Sequence, residues 1–168
     1  MKAGGTMMDS VKKIVTLEGL AARLEEVRNA GKKIVFTNGC FDIVHVGHVR
    51  YLAAARSEGD LLVVGLNSDV SVRLLKGEKR PIVAQHHRAE VLASLWFVDH
   101  VVIFDEPDPL KTIEALKPDV LVKGEDWTED NIIGADFVKS NGGKIVRVEF
   151  VDDTSTSGII EQIVKRYC

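Results

Sequence analysis

The chain has little cysteine. Cys40 and Cys168 are the 2 cysteines in 168 residues, too few for a disulfide framework and in keeping with a reducing compartment. It also lacks a basic excess: 22 Lys and Arg against 25 Asp and Glu leave a formal net charge of -3. That sign argues against a nucleic-acid binder, although a local basic patch could still serve a phosphorylated small molecule. No apolar run approaches the ~20 residues that span a bilayer. Residues 1–8 hold no apolar stretch of signal-peptide length. A cytoplasmic protein with no membrane and no nucleic-acid partner is therefore expected.

Several chemical signatures are missing too. No Gly-x-Gly-x-x-Gly follows the first apolar run, which excludes the dinucleotide fingerprint of dehydrogenases. There is no Gly-x-x-x-x-Gly-Lys-Ser/Thr and no Gly-x-Ser-x-Gly, so a Walker-type ATPase and a serine hydrolase are set aside. Zinc is not expected, because Cys40 is the lone cysteine near the histidines and no further ligands stand at a supporting spacing.

What remains is an ordinary globular composition, 45% hydrophobic and 28% charged, and a length that suits one domain with a proper core. Residues 1–12 read as a flexible tail and 13–168 as a single domain. Thr16 can cap a helix whose stripe is Leu17, Leu20, Ala21, Leu24 and Val27, ended by Gly31. Apolar runs at Ile34–Phe36 and Leu61–Leu66 read as buried strands, and Val101–Phe104, Val120–Val122 and Lys144–Val148 as three further strands. Helices are expected up to about Ser57, over Asp69–Leu75, about His86–Trp96, after Pro109 through Leu116, over Ala135–Ser140, and from Ser157 to about Lys165. This alternation predicts an α/β fold, a doubly wound parallel five-stranded sheet. Right-handed crossovers bring the loops after Thr37, Asn67, Lys123 and Val148 to one edge, where ligands bind in open sheets of this kind.

The densest chemistry lies just after the first strand. Asn38-Gly39 is expected to break that strand, and Val49, Leu52 and Ala53 then recur at helical spacing. His45-x-Gly47-His48 thus falls where a helix begins, with both imidazoles on one face beside N–H groups that have no intrahelical partner. A polyanion fits there, and Gly47 would let it approach the backbone. Two histidines three residues apart could also be plain surface residues; the strand, glycine turn and helix around them favour the phosphate reading.

The same edge should collect Lys76, Lys79, Arg80, Arg88, Lys123, Asp126 and Thr154-Ser155-Thr156-Ser157. Cations and neutral donors outnumber acids in that set, which suits a triphosphate. The plainer alternatives are a solvated loop for Lys76, Lys79 and Arg80, a helix surface for Arg88, and an N-cap for Ser155. Trp127 could stack on a base or fill the core. Cys40 reads as a small apolar residue with no covalent role.

Thr37-Asn38-Gly39-Cys40-Phe41-Asp42 followed by His45-x-Gly47-His48 resembles the signature of the cytidylyltransferase-like nucleotidyltransferases. The likeness continues through Gly65–Asp69, Lys76–Pro81, Arg88, Val98-Asp99, Lys123-Gly124-Glu125-Asp126-Trp127 and Ser155–Ser157. Within that superfamily, Asn-Gly-Cys-Phe-Asp and the wording from Pro118 to Gly124 are most similar to the D-glycero-β-D-manno-heptose 1-phosphate adenylyltransferases. Those often form the C-terminal half of a bifunctional heptose kinase/adenylyltransferase, so a stand-alone version is expected here. Glycerol 3-phosphate cytidylyltransferases usually have Thr where this chain has Cys40. They also end on Arg-Thr-Glu-Gly-Ile-Ser-Thr-Thr, where this chain has Phe150-Val151-Asp152-Asp153-Thr154-Ser155-Thr156-Ser157.

The resemblance implies a Rossmann-like nucleotidyltransferase fold. It implies transfer from ATP to heptose 1-phosphate, giving ADP-heptose for lipopolysaccharide core precursors. It also implies Mg2+ carried on the ATP phosphates and not by protein side chains, a homodimer, and a separate heptose kinase. Carried over residue by residue, it makes His45, His48 and Lys79 catalytic. Asn38, Gly39, Cys40, Phe41, Gly47, Lys76, Lys123, Asp126, Ser155 and Thr156 would bind the nucleotide. Asp42, Asn67, Arg80 and Arg88 would bind the sugar phosphate, with loop bracing as a second possibility for the two arginines. The competing functions are a cytidylyltransferase acting on glycerol 3-phosphate or another small phosphorylated alcohol, and a non-catalytic nucleotide sensor.

Overall fold

The structure, a computed structural model, describes residues 10–149 and 154–168. The apolar runs form strands β1 (Ile34–Gly39), β2 (Leu61–Asn67), β3 (His100–Phe104), β4 (Val120–Gly124) and β5 (Lys144–Val148). Between and around them lie helices α1 (Leu17–Asn29), α2 (Val46–Arg56), α3 (Asp69–Lys76), α4 (Gln85–Ser94), α5 (Leu110–Leu116), α6 (Ala135–Ser140) and α7 (Thr156–Tyr167). Hydroxyl side chains start several of these helices, as their cap preference requires. Thr16 accepts from the Gly19 N–H at 3.2 Å, Ser68 from Ser71 at 3.2 Å, and Ser155 from Gly158 at 3.0 Å.

All strand pairs are parallel, in the order β3-β2-β1-β4-β5. Alternate residues of each strand enter opposite faces of the sheet. Val35, Leu62, Val64, Val101, Val120 and Val122 pack with Leu52, Ala55, Ala89 and Leu92 of α2 and α4. Ile34, Phe36, Val63, Val102 and Leu121 pack with Leu20, Leu24, Ile113, Leu116 and Val138 of α1, α5 and α6. Burial on both faces explains why β1 to β4 read as apolar runs, whereas the edge strand β5 carries the exposed Lys144 and Arg147. The chain winds outward from β1 to β3, then returns to lay β4 on the other side of β1. That reversal opens a crevice at the C-terminal ends of β1 and β4.

Two expectations need correction. Asn38-Gly39 does not break β1: both residues stay in register with β2, opposite Gly65 and Leu66. A central strand has partners for residues of poor strand propensity. The turn comes at Phe41, which holds a left-handed φ of 43°. Gly39 makes room for it, since a Cβ there would stand 2.9 Å from the Phe41 ring. The helix expected to reach Trp96 stops at Ser94, where Leu95 turns extended. Trp96 is left 84% exposed while Phe97 and Val98 are buried. Glu129–Asn131 form a short 3-10 turn that the pattern did not signal.

Of the expected N-terminal tail, residues 1–9 lie outside the described residues. Ser10 to Lys13 form a turn, and Ile14 then bridges Val101 in parallel. No helix among the described residues is long and apolar enough to cross a membrane.

Candidate active site

The crevice between β1 and β4 is a cavity of about 510 Å³. β1 and the turn after it contribute Asn38, Gly39, Cys40, Phe41 and Asp42, and α2 contributes His48 and Tyr51. β2 gives Asn67, the α3 end gives Leu75 and Lys76, and Arg80 follows. Lys123, Gly124, Asp126 and Trp127 come from β4 and its loop, and Ser155, Thr156 and Ser157 from the start of α7.

Two helix N-termini meet at this cavity although they are more than a hundred residues apart in the chain. Thr156 Oγ1 donates to the Ile43 carbonyl at 3.3 Å, and a Cβ on Gly47 would stand 3.7 Å from the Thr154 carbonyl. His45 is the N-cap of α2 and makes no side-chain cap hydrogen bond. The first-turn N–H groups of both helices have no intrahelical acceptor, and the two dipoles add a positive field at the same place.

The imidazoles stand in that field. His45 and His48 stack with ring centroids 3.9 Å apart at 28°, and Phe41 meets His48 edge-on at 5.1 Å. Both Nδ1 atoms are buried and have no hydrogen-bond partner among the described residues. Burial, with His45 alongside, pushes His48 down to about 4, opposed by a backbone hydrogen bond with Ile43. Burial also lowers His45. The pair is therefore neutral near pH 7 in the ligand-free protein, and an arriving polyanion would favour its protonation.

A stability change with pH follows. The unfolded histidine protonates near 6.5 and the folded His48 only near 4, so the unfolded chain binds the proton first as pH falls. Stability held above about 6.5 should decline between there and about 4. His45 and His100, also lowered by burial, share in that decline. The urea midpoint measured across this window should drop, and His48→Gln should shed part of the drop. A variant whose pH profile overlays the wild type would contradict the buried, neutral state of His48.

Several expected site residues turn out to be built differently. The side of Gly47 is filled by the His45 ring, 3.1 Å from where a Cβ would be, so this glycine admits an imidazole and not a ligand. The Asp42 carboxylate, in the cavity lining, is taken up by protein donors: it accepts from Arg80 Nε at 2.5 Å and from the Ile82 and Val83 N–H groups at 2.8 and 2.9 Å. Burial opposes its ionisation, but the Val83 and Ile82 amides and Arg80 outweigh it and hold the carboxyl below its usual range. Asp42 thus ties the segment after α3 to the rim of the cavity, with Arg80 still in the lining.

Arg88 is not a helix-surface residue, and its guanidinium is engaged by protein acceptors. It is 1% exposed and donates to the carbonyls of Val83, Cys40 and Asn67 at 2.8, 2.6 and 2.8 Å and to Asp69 at 2.8 Å. It is a brace. Lys79 stands exposed on the turn closed by the Arg80 N–H and the Gly77 carbonyl, outside the cavity lining. Cys40 lines the cavity with a thiol that burial pushes up, consistent with no covalent role.

Lys123 is buried. It donates to Asn38 Oδ1 and lies 5.7 Å from the Trp127 ring centroid. Burial lowers it to about 8, with Asp126 pulling the other way. Tyr51 hydrogen-bonds Thr37 Oγ1 at 2.7 Å and the Val122 carbonyl at 3.1 Å, linking β1, α2 and β4 beneath the cavity.

Pro107, Asp108 and Pro109 also line the cavity and were not foreseen. They follow β3 as the other site loops follow their strands, so the same topological rule would have found them. Leu75 and Ile133, also in the lining, carry no chemical signal in a sequence.

Residues 36–160 match the cytidylyltransferase-like family. The chain belongs to that family. The matched span of this cytidylyltransferase-like chain takes in every residue of the cavity lining. It is 57% identical over 159 residues to the bifunctional protein HldE of Geobacter metallireducens, covering 95% of this chain and 32% of that protein. The protein of the same name from Geobacter sulfurreducens is 56% identical over 155 residues, 92% of this chain and 32% of its own length. The chain therefore spans about a third of the length of these curated relatives. The crystal structure of the lipopolysaccharide core biosynthesis protein from Thermoplasma volcanium superposes with a TM-score of 0.61 at 32% identity, covering 73% of this chain and 100% of that one. A pantoate-beta-alanine ligase from Francisella tularensis, with a TM-score of 0.61 at 20% identity over 86% of this chain and 69% of its own, shares the fold.

Proposed function

We propose that this chain is an adenylyltransferase that joins ATP and D-glycero-β-D-manno-heptose 1-phosphate, giving ADP-heptose and pyrophosphate for lipopolysaccharide core precursors. The observation that carries this reading is His48, which lines one cavity with the start of α7 and has His45, the N-cap of α2, stacked on it just outside that lining. The likeness to the HldE proteins and to the Thermoplasma protein supports the choice of donor and acceptor.

The chemistry asks little of the protein beyond positioning and charge. An oxygen of the sugar phosphate attacks the α-phosphorus of ATP, and the bond to the β-phosphate breaks in line, its electron pair leaving with pyrophosphate. A phosphate dianion is already a nucleophile and needs no general base. His45 and His48 hold the phosphates at the reacting centre. Ser155 and Thr156, with the first turn of α7, hold the β/γ end that departs. Lys76 follows the α/β-phosphates, and Arg80, with Asn67 in the same lining, takes the sugar phosphate. Asn38, Lys123, Asp126 and Trp127 line the nucleoside side. Lys79, off the cavity lining, is given no step.

Asp108 and Asp126 are the lining carboxylates besides the occupied Asp42. Separate carboxylates of this kind suit an Mg2+ ion that arrives on phosphate oxygens with most of its water. That ion supplies charge neutralisation along the triphosphate. The acceptor must come from an enzyme that phosphorylates a heptose.

The test is pyrophosphate release from ATP or CTP with a panel of sugar 1-phosphates and glycerol 3-phosphate. ATP with heptose 1-phosphate should be the pair with the highest kcat/KM. Preference for CTP with a small alcohol phosphate would replace this reading with a cytidylyltransferase. Nucleotide binding with no pyrophosphate from any acceptor would make the chain a sensor.

A further inference from the structure

Lys123 is the one lysine among the buried polar and charged residues of the described chain, 8% exposed at the end of β4. A buried ammonium is costly unless a charge or several acceptors meet it. Its hydrogen-bond partner is the neutral Asn38 Oδ1, and among the described residues no carboxylate stands within 4.0 Å of it. The Trp127 face, 5.7 Å away, and the more distant Asp126 carboxylate compensate only in part. An ammonium held at the floor of an open cavity with that deficit is a site for an anionic ligand group.

Its neighbours say which group. Lys123 lies at the reversal of the sheet, on the strand next to β1. On one side, along its own loop, stand Asp126 and Trp127; on the other, past Asn38, stand the turn and His48. A phosphate chain running from the imidazoles towards a nucleoside at Trp127 passes over Lys123 at the phosphate joined to the nucleoside.

We propose that Lys123 is a catalytic residue: its ammonium contacts a non-bridging oxygen of the nucleotide α-phosphate and offsets the charge gathering there as the acceptor oxygen bonds to phosphorus and pyrophosphate departs. The proton stays on nitrogen throughout; no group is transferred to the lysine. This inference rests on the adenylyl-transfer reading above.

Because burial lowers Lys123 to about 8, the free enzyme loses the competent form as pH rises through that value, and kcat/KM for ATP reports it. The experiment is a pH profile of kcat/KM for ATP, by pyrophosphate release with heptose 1-phosphate, for wild type and Lys123→Met. Wild type should show a descending limb near pH 8. Lys123→Met keeps the length of the side chain without its charge and should unfold at the same temperature or higher. It should turn over about a hundredfold or more slowly and lack that limb.

No limb in the wild type would overturn the proposal even if the variant failed to fold. Turnover of the variant within about threefold of wild type, well under the loss of a typical transition-state contact, or a limb that persists in it, would overturn it as well. A wild type that releases no pyrophosphate with any acceptor would sink the adenylyl-transfer reading itself. An active wild type with an indifferent Lys123 sinks this inference alone.

Discussion

Replacing His48 by alanine is expected to cut turnover by roughly two to four orders of magnitude, about 3–5 kcal/mol of transition-state stabilisation, while leaving the fold intact. His48 sits in the first turn of α2, half-buried, stacked on His45 and edge-on to Phe41. Its Nδ1 has no protein partner among the described residues, and the Ile43 backbone that meets the ring keeps the Thr156 hydroxyl on its carbonyl. The helix below is held by Tyr51, Leu52 and Ala55 in the core. The loss should therefore fall on kcat, with an unchanged circular-dichroism spectrum and a smaller change in ATP affinity. Near-normal turnover would remove the imidazole pair from the chemistry.

Arg88→Ala should do the opposite and fall first on stability. The guanidinium joins the carbonyl after β1, the carbonyl at the end of β2 and the carbonyl of Val83, and pairs with Asp69. Alanine leaves those carbonyls without their donor in a buried place and opens a large void, since Arg88 is among the largest fully buried side chains. Breaking a buried pair of this kind costs about 3–5 kcal/mol. Asp69 is partly exposed and can turn to water, which places the effect in the lower part of that range. Denaturant unfolding measures it. Arg88→Lys should recover a minority of the loss, because a single ammonium cannot reproduce the guanidinium fork. Turnover should fall in both variants, since Cys40 and Asn67 form part of the cavity wall. Stability within about 0.5 kcal/mol of wild type, the range of an ordinary surface change, would show that the brace is dispensable.

Arg88 also shows where reading the chain stops. The strands were legible because burial on both faces writes apolar runs, and the convergence of their loops follows from handedness alone. The His45–His48 pair was legible because a strand and the helix that soon follows it are local, although the turn between them sits at Phe41 and not at Gly39. What a charged side chain faces is not local. Arg88 near a phosphate site reads as a ligand or a loop brace alike, and only the folded chain reveals that its acceptors include carbonyls of Cys40 and Asn67, 48 and 21 residues away. Asp42 misleads in the same way, its partners being 38 to 41 residues distant. Gly47 reads as an opening for a ligand, yet the space belongs to the ring of His45 two residues before it.

The direct measurement is to follow labelled phosphorus through one turnover with heptose 1-phosphate. Label at the α-phosphorus of ATP should appear in the sugar nucleotide, and label at the γ-phosphorus should appear in pyrophosphate. Appearance of the γ label on the sugar, or retention of both labels in ATP, would contradict adenylyl transfer at the imidazole pair.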